Sequence, residues 1–185
     1  MIVISHFCMH WLLLQSQPLS WDCSLNRSFQ SIYAQLLLWP VFYSSLHSFL
    51  CIQSGNIILE SEATKSEICQ KIKEEIFSKF GYNVPVIIRT IEEWERAISN
   101  YPFSLENSKI VAFAFLNQIS KEATIEIKGI KEDKYKIFED VVYLNCPTGF
   151  ANTKLTNNLI EKKLKVIATS RNYNTTIKLL ELSKS

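Results

Sequence analysis

The sequence predicts an α+β protein in which helices layer against sheets, and three observations carry that prediction. From residue 53 onward, short β-branched runs alternate with amphipathic helical stretches. The run Ile110-Val111-Ala112-Phe113-Ala114-Phe115-Leu116 is apolar without interruption, as a strand covered on both faces would be. The helical stretches also carry their own start and stop residues, such as Thr64 before one of them and Gly81 after it.

Taken in order, Asn56–Leu59 is a short strand after the turn-like Ser54-Gly55. A helix follows, capped by Thr64 or Ser66. Its apolar stripe is Ile68, Ile72, Ile76 and Phe77, with Phe80 at the end, and Gly81 stops it. Val84–Arg89 is a strand, with Pro85 near its start, where a missing N–H costs least. Thr90 caps a second helix carrying Ile91, Trp94, Ala97 and Ile98, and Glu92 and Glu93 suit its first turn. Asn100-Tyr101-Pro102 ends it. After the Lys109–Leu116 strand, Ser120 caps a short helix to Ile127, followed by Gly129. Tyr135–Phe138 and Val141–Leu144 are further strands. Thr156 or Asn157 caps a helix holding Leu159, Ile160 and Leu164. A last helix runs from about Ser170 to Leu182, with Tyr173, Ile177 and Leu180 inward.

The opening third follows no such pattern. Residues 1–52 hold two charges, Asp22 and Arg27, where a typical chain would carry roughly 13. They contain all three histidines (His6, His10 and His47) and no glycine, glutamate or lysine. Three readings compete: translation in a wrong reading frame, a membrane segment, or an apolar subdomain. Composition favours the first, since the stretch shows no period, caps or surface charge. The apolar run 32–52 is long enough to span a membrane, but Gln35, Pro40, His47 and several serines interrupt it and no basic cluster flanks it. Residues 1–51 are therefore set apart as an aberrant apolar segment, and residues 52–185 as the α+β domain. His6, Cys8 and His10 lie close together but have no carboxylate nearby, so no metal is expected. The five cysteines show no CxxC spacing, which suits a reducing compartment and a cytoplasmic location.

Several long motifs in residues 52–182 resemble one family. Ile52-Gln53-Ser54-Gly55-Asn56-Ile57-Ile58-Leu59-Glu60-Ser61 is similar to the "YIQSGNIxFES" motif of domain-of-unknown-function family 1697. Lys154-Leu155-Thr156-Asn157-Asn158, Glu161-Lys162-Lys163-Leu164 and Ala168-Thr169-Ser170-Arg171-Asn172-Tyr173-Asn174-Thr175 together resemble its C-terminal signature, "KLTNNxxEKKLGxxATTRNWNT". Val84-Pro85-Val86-Ile87 and Asn100-Tyr101-Pro102-Phe103 also fall in place. The departures are Lys165 for a usual Gly, Ser170 for Thr and Tyr173 for Trp. The resemblance implies a ferredoxin-like plait in two small layered subdomains. The "LLRGINVGG" opening of the family does not occur here, which implies that the first strand and helix are missing or replaced. The family has no assigned activity, so the resemblance supplies a fold without a reaction.

The densest polar cluster is Lys154, Thr156, Asn157, Asn158, Thr169, Ser170, Arg171, Asn172 and Asn174. Helix N-termini within it would offer free N–H groups, and Lys154 and Arg171 full charges, to a small anionic ligand bearing phosphate or carboxylate. The competing reading is structural, with Thr156 and Ser170 as caps and the asparagines as loop braces. Ser54, Gly55 and Asn56 form a loop near a strand and a weaker candidate. Residues 53–185 lack histidine, which disfavours Cys-His catalysis at Cys146 and Ser-His-Asp catalysis anywhere in that part. Glu139-Asp140 and Glu92-Glu93 are adjacent pairs, which do not face one another. A net charge of +2 with no basic run makes nucleic acid the weaker partner, and an interaction module without catalysis is the alternative function. No catalytic residue, cofactor or oligomeric state is assigned.

Overall fold

The computed structural model describes residues 2–5, 48–51, 55–127, 129–130 and 132–184. The chain divides into two compact units, Met1–Ile91 and Glu92–Lys184. The expected α+β class is what the structure has: mixed helices and antiparallel sheets.

The first unit holds strands β1 (Ile2–Ser5), β2 (Ser48–Cys51), β3 (Asn56–Leu59) and β4 (Val86–Arg89) and helix α1 (Lys65–Phe80). The strand order is β2-β3-β1-β4, and every neighbouring pair is antiparallel. The place of an opening strand is taken by Ile2–Ser5, which pairs on both sides. Of the apolar run 32–52, Ser48–Cys51 forms β2. The rest of that run, the stretch where the family's first helix is expected to be missing or replaced, and His6, Cys8 and His10 lie outside the described residues. Among the described residues, no helix is long and apolar enough to cross a membrane.

Helix α1 forms where its ends are satisfied locally. The Thr64 side chain accepts the Glu67 N–H, and the Glu67 carboxylate accepts the Thr64 N–H at 2.8 Å, closing a capping box. Gly81 takes a left-handed φ of 73° and donates its N–H to the Phe77 carbonyl at 2.8 Å. Ile68 and Ile72 bury against Ile57 and Leu59 of β3 and Val86 and Ile88 of β4, every second residue of each strand. Ile76 packs at the edge of this cluster, whereas Phe77 is 61% exposed. The stripe 68-72-76 advances four residues at a time, so residue 77 lies about 100° further round the helix and leaves the sheet. Thr64→Ala should destabilise the first unit by about 1 kcal/mol, read from urea unfolding. An unchanged midpoint would show that the capping box adds nothing.

The second unit holds α2 (Ile91–Ser99), a 3-10 turn (Ser108–Ile110), β5 (Val111–Leu116), β6 (Lys134–Phe138), β7 (Val141–Asn145), α3 (Asn157–Leu164), β8 (Ala168–Asn172) and α4 (Tyr173–Ser183). Its strand order is β6-β7-β5-β8, again antiparallel throughout. All six residues of β5 are buried, as its unbroken apolar run requires. Ala112, Ala114 and Leu116 face Ile160 and Leu164 of α3. Phe113 and Phe115 lie on the other face with Tyr143. Trp94 of α2 stacks on Phe115 there, with ring centroids 4.2 Å apart and planes 11° from parallel.

Two expected helices are corrected. Ser120–Ile127 is not helical. Ser120 Oγ instead accepts the Glu122 N–H and donates to the Glu122 carbonyl, closing a local turn. The Ile125 backbone pairs with the Tyr135 hydroxyl of β6, with the N–H donating to that oxygen and the hydroxyl donating to the Ile125 carbonyl. The last helix begins at Tyr173, because Ala168–Asn172 pairs with β5 as a strand. Asn172 is its cap, accepting the Thr175 N–H at 2.8 Å, so Ser170 is not a cap. Its inward face carries Thr176 and Leu179, and Ile177 and Leu180 are half-buried.

Candidate functional site

Strand β8 divides the polar cluster. Successive side chains of a strand point to opposite faces. Ala168 joins the core under α3, and Ser170 Oγ donates to Asn157 Oδ1 of that helix at 3.0 Å. Asn157 Nδ2 donates to the Ala168 carbonyl at 2.8 Å, and Glu161 Oε1 accepts the Ala168 N–H at 2.8 Å. These bonds tie α3 to β8. Thr156 caps α3, its hydroxyl oxygen accepting the Leu159 N–H at 3.3 Å.

Thr169 and Arg171 lie on the opposite, aromatic face, in register with Phe115 and Phe113. Arg171 is 8% exposed. Its Nη1 donates to Thr169 Oγ1 and to the Ser170 carbonyl, both at 2.8 Å. Burial pushes its pKa down to about 10, which still leaves the guanidinium charged at neutral pH. Tyr173, the first residue of α4, stacks near Phe113 with centroids 6.4 Å apart.

The structure thus brings Thr169 and Arg171 together on one face, and Asn157 and Ser170 on the other. Asn172 and Thr156 are caps. Asn158 and Asn174 are exposed, and so is Lys154, whose ammonium lies 2.6 Å from where a Cβ on Gly129 would stand. In the weaker candidate loop, Ser54 lies outside the described residues. Gly55 has a φ of 66°, and Asn56 is buried at the start of β3. Tyr101 of the Asn100-Tyr101-Pro102-Phe103 motif packs on Phe103, Phe113 and Tyr143. Its hydroxyl donates to the Leu144 carbonyl and accepts from Asn145 Nδ2. Burial pushes the Tyr101 phenol up.

Sequence reasoning missed Asp133. This buried carboxylate clamps the loop after β7, accepting from the Thr148 hydroxyl at 2.7 Å and the Thr148 N–H at 3.2 Å. Burial pushes its pKa up, but the hydrogen bonds from the Thr153 side chain and from Thr148 outweigh that and leave it below the usual value. A lone aspartate fifteen residues before its partner has no periodic signature to reveal it. Cys146, at the base of the same loop, is fully buried, and burial pushes its thiol up despite a bond from Thr153. It is a poor nucleophile as it stands. Asp133→Asn should cost about 1–3 kcal/mol near neutral pH. A carboxylate with a depressed native pKa holds fewer protons folded than unfolded as pH falls through that region. The contribution of Asp133 is therefore present above about pH 4 and lost in stronger acid. Urea unfolding across pH should show the two proteins converging in acid; a constant gap would contradict the clamp.

Among the described residues, no group of three His, Cys, Asp or Glu could hold a metal. No curated protein matches the chain. A solved structure, that of a conserved bacterial protein from Streptococcus pneumoniae, is similar with a TM-score of 0.62 at 13% identity, covering 98% of this chain and 97% of that one. At that identity the likeness shows the fold. The model of a family described as a protein of unknown function (DUF1697) matches residues 50–143, and the chain belongs to that family.

Proposed function

We propose that the second unit binds a small anionic ligand, bearing phosphate or carboxylate, where β8 meets α4, with Arg171 as its anchor. The observation that carries this reading is an arginine, 8% exposed, that donates to Thr169 Oγ1 and the Ser170 carbonyl two residues before α4 begins. A guanidinium fork meets phosphate or carboxylate with two parallel charge-assisted bonds. Tyr173, half-buried at the start of α4, would offer a flat apolar wall. The strand orders β2-β3-β1-β4 and β6-β7-β5-β8 support reading each sheet as a ferredoxin-like plait. The free thiols of Cys69 and Cys146 support a cytoplasmic setting.

Titrating the full chain with inorganic phosphate and with succinate, followed by Tm, tests the reading. A Tm that climbs with either concentration supports it, since a ligand that binds the folded state stabilises by mass action. A flat response to both overturns it. The alternative, an interaction module for nucleic acid or protein, would show itself as RNA or DNA binding that weakens steeply with salt.

A further inference from the structure

A groove of about 640 Å³ lies along α3 in the second unit. Asn158, Glu161, Lys162 and Lys165 line it and fall at positions i, i+3, i+4 and i+7, so they form one stripe running from the first turn of α3 to its end. Ile160 and Leu164 turn away from that stripe into the core. The remaining lining comes from Asn117 and Gln118, just after β5, and Val166 and Ile167, just before β8. The Asn117 N–H donates to the Ile167 carbonyl, and Asn117 Oδ1 accepts the Ile167 N–H, both at 2.9 Å. This doubled link extends the β5–β8 ladder past Leu116 and Ala168 and holds that side of the groove in place. Glu161 is likewise committed, to the Ala168 N–H.

Four lining side chains are left for a ligand. The side chains of Gln118, Asn158, Lys162 and Lys165 are exposed and make no hydrogen bond or ion pair with the described residues. Lysines near a helix C-terminus are favoured by the macrodipole alone. That does not account for two carboxamides converging on the same space from separate segments. A carboxamide both donates and accepts, which matches hydroxyl groups, while ammonium groups supply point charges for phosphate. The volume falls within the range of small-ligand sites, roughly 300–1,000 Å³. Lys165 also sits at a φ of 55°, a left-handed position that strains any residue but glycine, so this chain carries a charge at the rim where glycine would be more stable.

We propose that this groove is a second ligand site, independent of Arg171, and that it takes a small phosphorylated polyol, with Lys162 and Lys165 on the phosphate and Gln118 and Asn158 on hydroxyls. Calorimetric titration of the full chain with ribose 5-phosphate, ribose and inorganic phosphate tests it. Ribose 5-phosphate should bind more tightly than either fragment. Lys162→Gln with Asn158→Ala should weaken it by about tenfold or more, as the loss of one charged and one neutral hydrogen bond requires. Lys165→Gly should weaken it too while raising the Tm of the free protein, two opposite effects that a merely structural lysine would not produce. Arg171→Met should leave this binding in place. The proposal is overturned if ribose 5-phosphate does not bind, if it binds no better than phosphate, if the groove substitutions leave its affinity unchanged, or if Arg171→Met alone removes it.

Discussion

Replacing Trp94 by alanine is expected to cost the second unit about 3–5 kcal/mol. Trp94 is fully buried and stacks on Phe115 at 4.2 Å, and its Nε1 donates to the Thr176 carbonyl of α4 at 2.8 Å. One side chain therefore joins α2 to both the sheet and α4. Its removal opens a large cavity against a rigid aromatic layer and takes the donor from a buried carbonyl. Whole domains are stable by only about 5–15 kcal/mol, so the loss brings the unit close to unfolding at ordinary temperature. Trp94→Phe separates the two contributions. It keeps a stacked ring, loses the hydrogen bond, and should recover more than half of the deficit. Urea unfolding monitored by circular dichroism reads both variants. A cost below about 1 kcal/mol for Trp94→Ala would mean that α2 is held by something else.

Arg171→Met should abolish the phosphate response proposed for the β8–α4 junction, weakening binding by about tenfold or more. Methionine keeps an unbranched apolar stem and removes the charge. Stability should fall by about 1–3 kcal/mol, because Thr169 Oγ1 and the Ser170 carbonyl lose their buried donor. Arg171→Lys keeps a charge but loses the planar fork, so its affinity should fall between the two. Loss of the phosphate response in a variant that is still folded at the titration temperature assigns the guanidinium to a ligand. Falling stability at unchanged affinity assigns it to packing and removes the proposed function.

Part of this fold was legible in the sequence because it is decided within a few residues. The Gly81 stop, the acidic first turn of α2 and the burial of Trp94 each follow from local residue type and position, and of the two caps offered, Thr64 and Ser66, the structure uses Thr64. The unbroken apolar character of β5 likewise announced a strand covered on two faces. The candidate cluster was less legible. Asn157, Ser170 and Arg171 are close in sequence, but alternation along β8 sends Ser170 toward α3 and Arg171 toward the aromatic face. Reading 170 onward as helix concealed that division.

Residue order by itself determined elements whose hydrogen bonds close locally, such as the helix between Thr64 and Gly81 and the helix that buries Trp94 and Ala97. Only the tertiary structure decided the elements whose partners are remote. Ala168–Asn172 is a strand because Ala112–Leu116 offers it a ladder, with Ala112 opposite Asn172 sixty positions away. Ile2–Ser5, too short to show any period, becomes an inner strand because β3 and β4 pair with it from both sides. A helix satisfies its backbone from its own next turn, whereas a strand needs a neighbour that no local window contains.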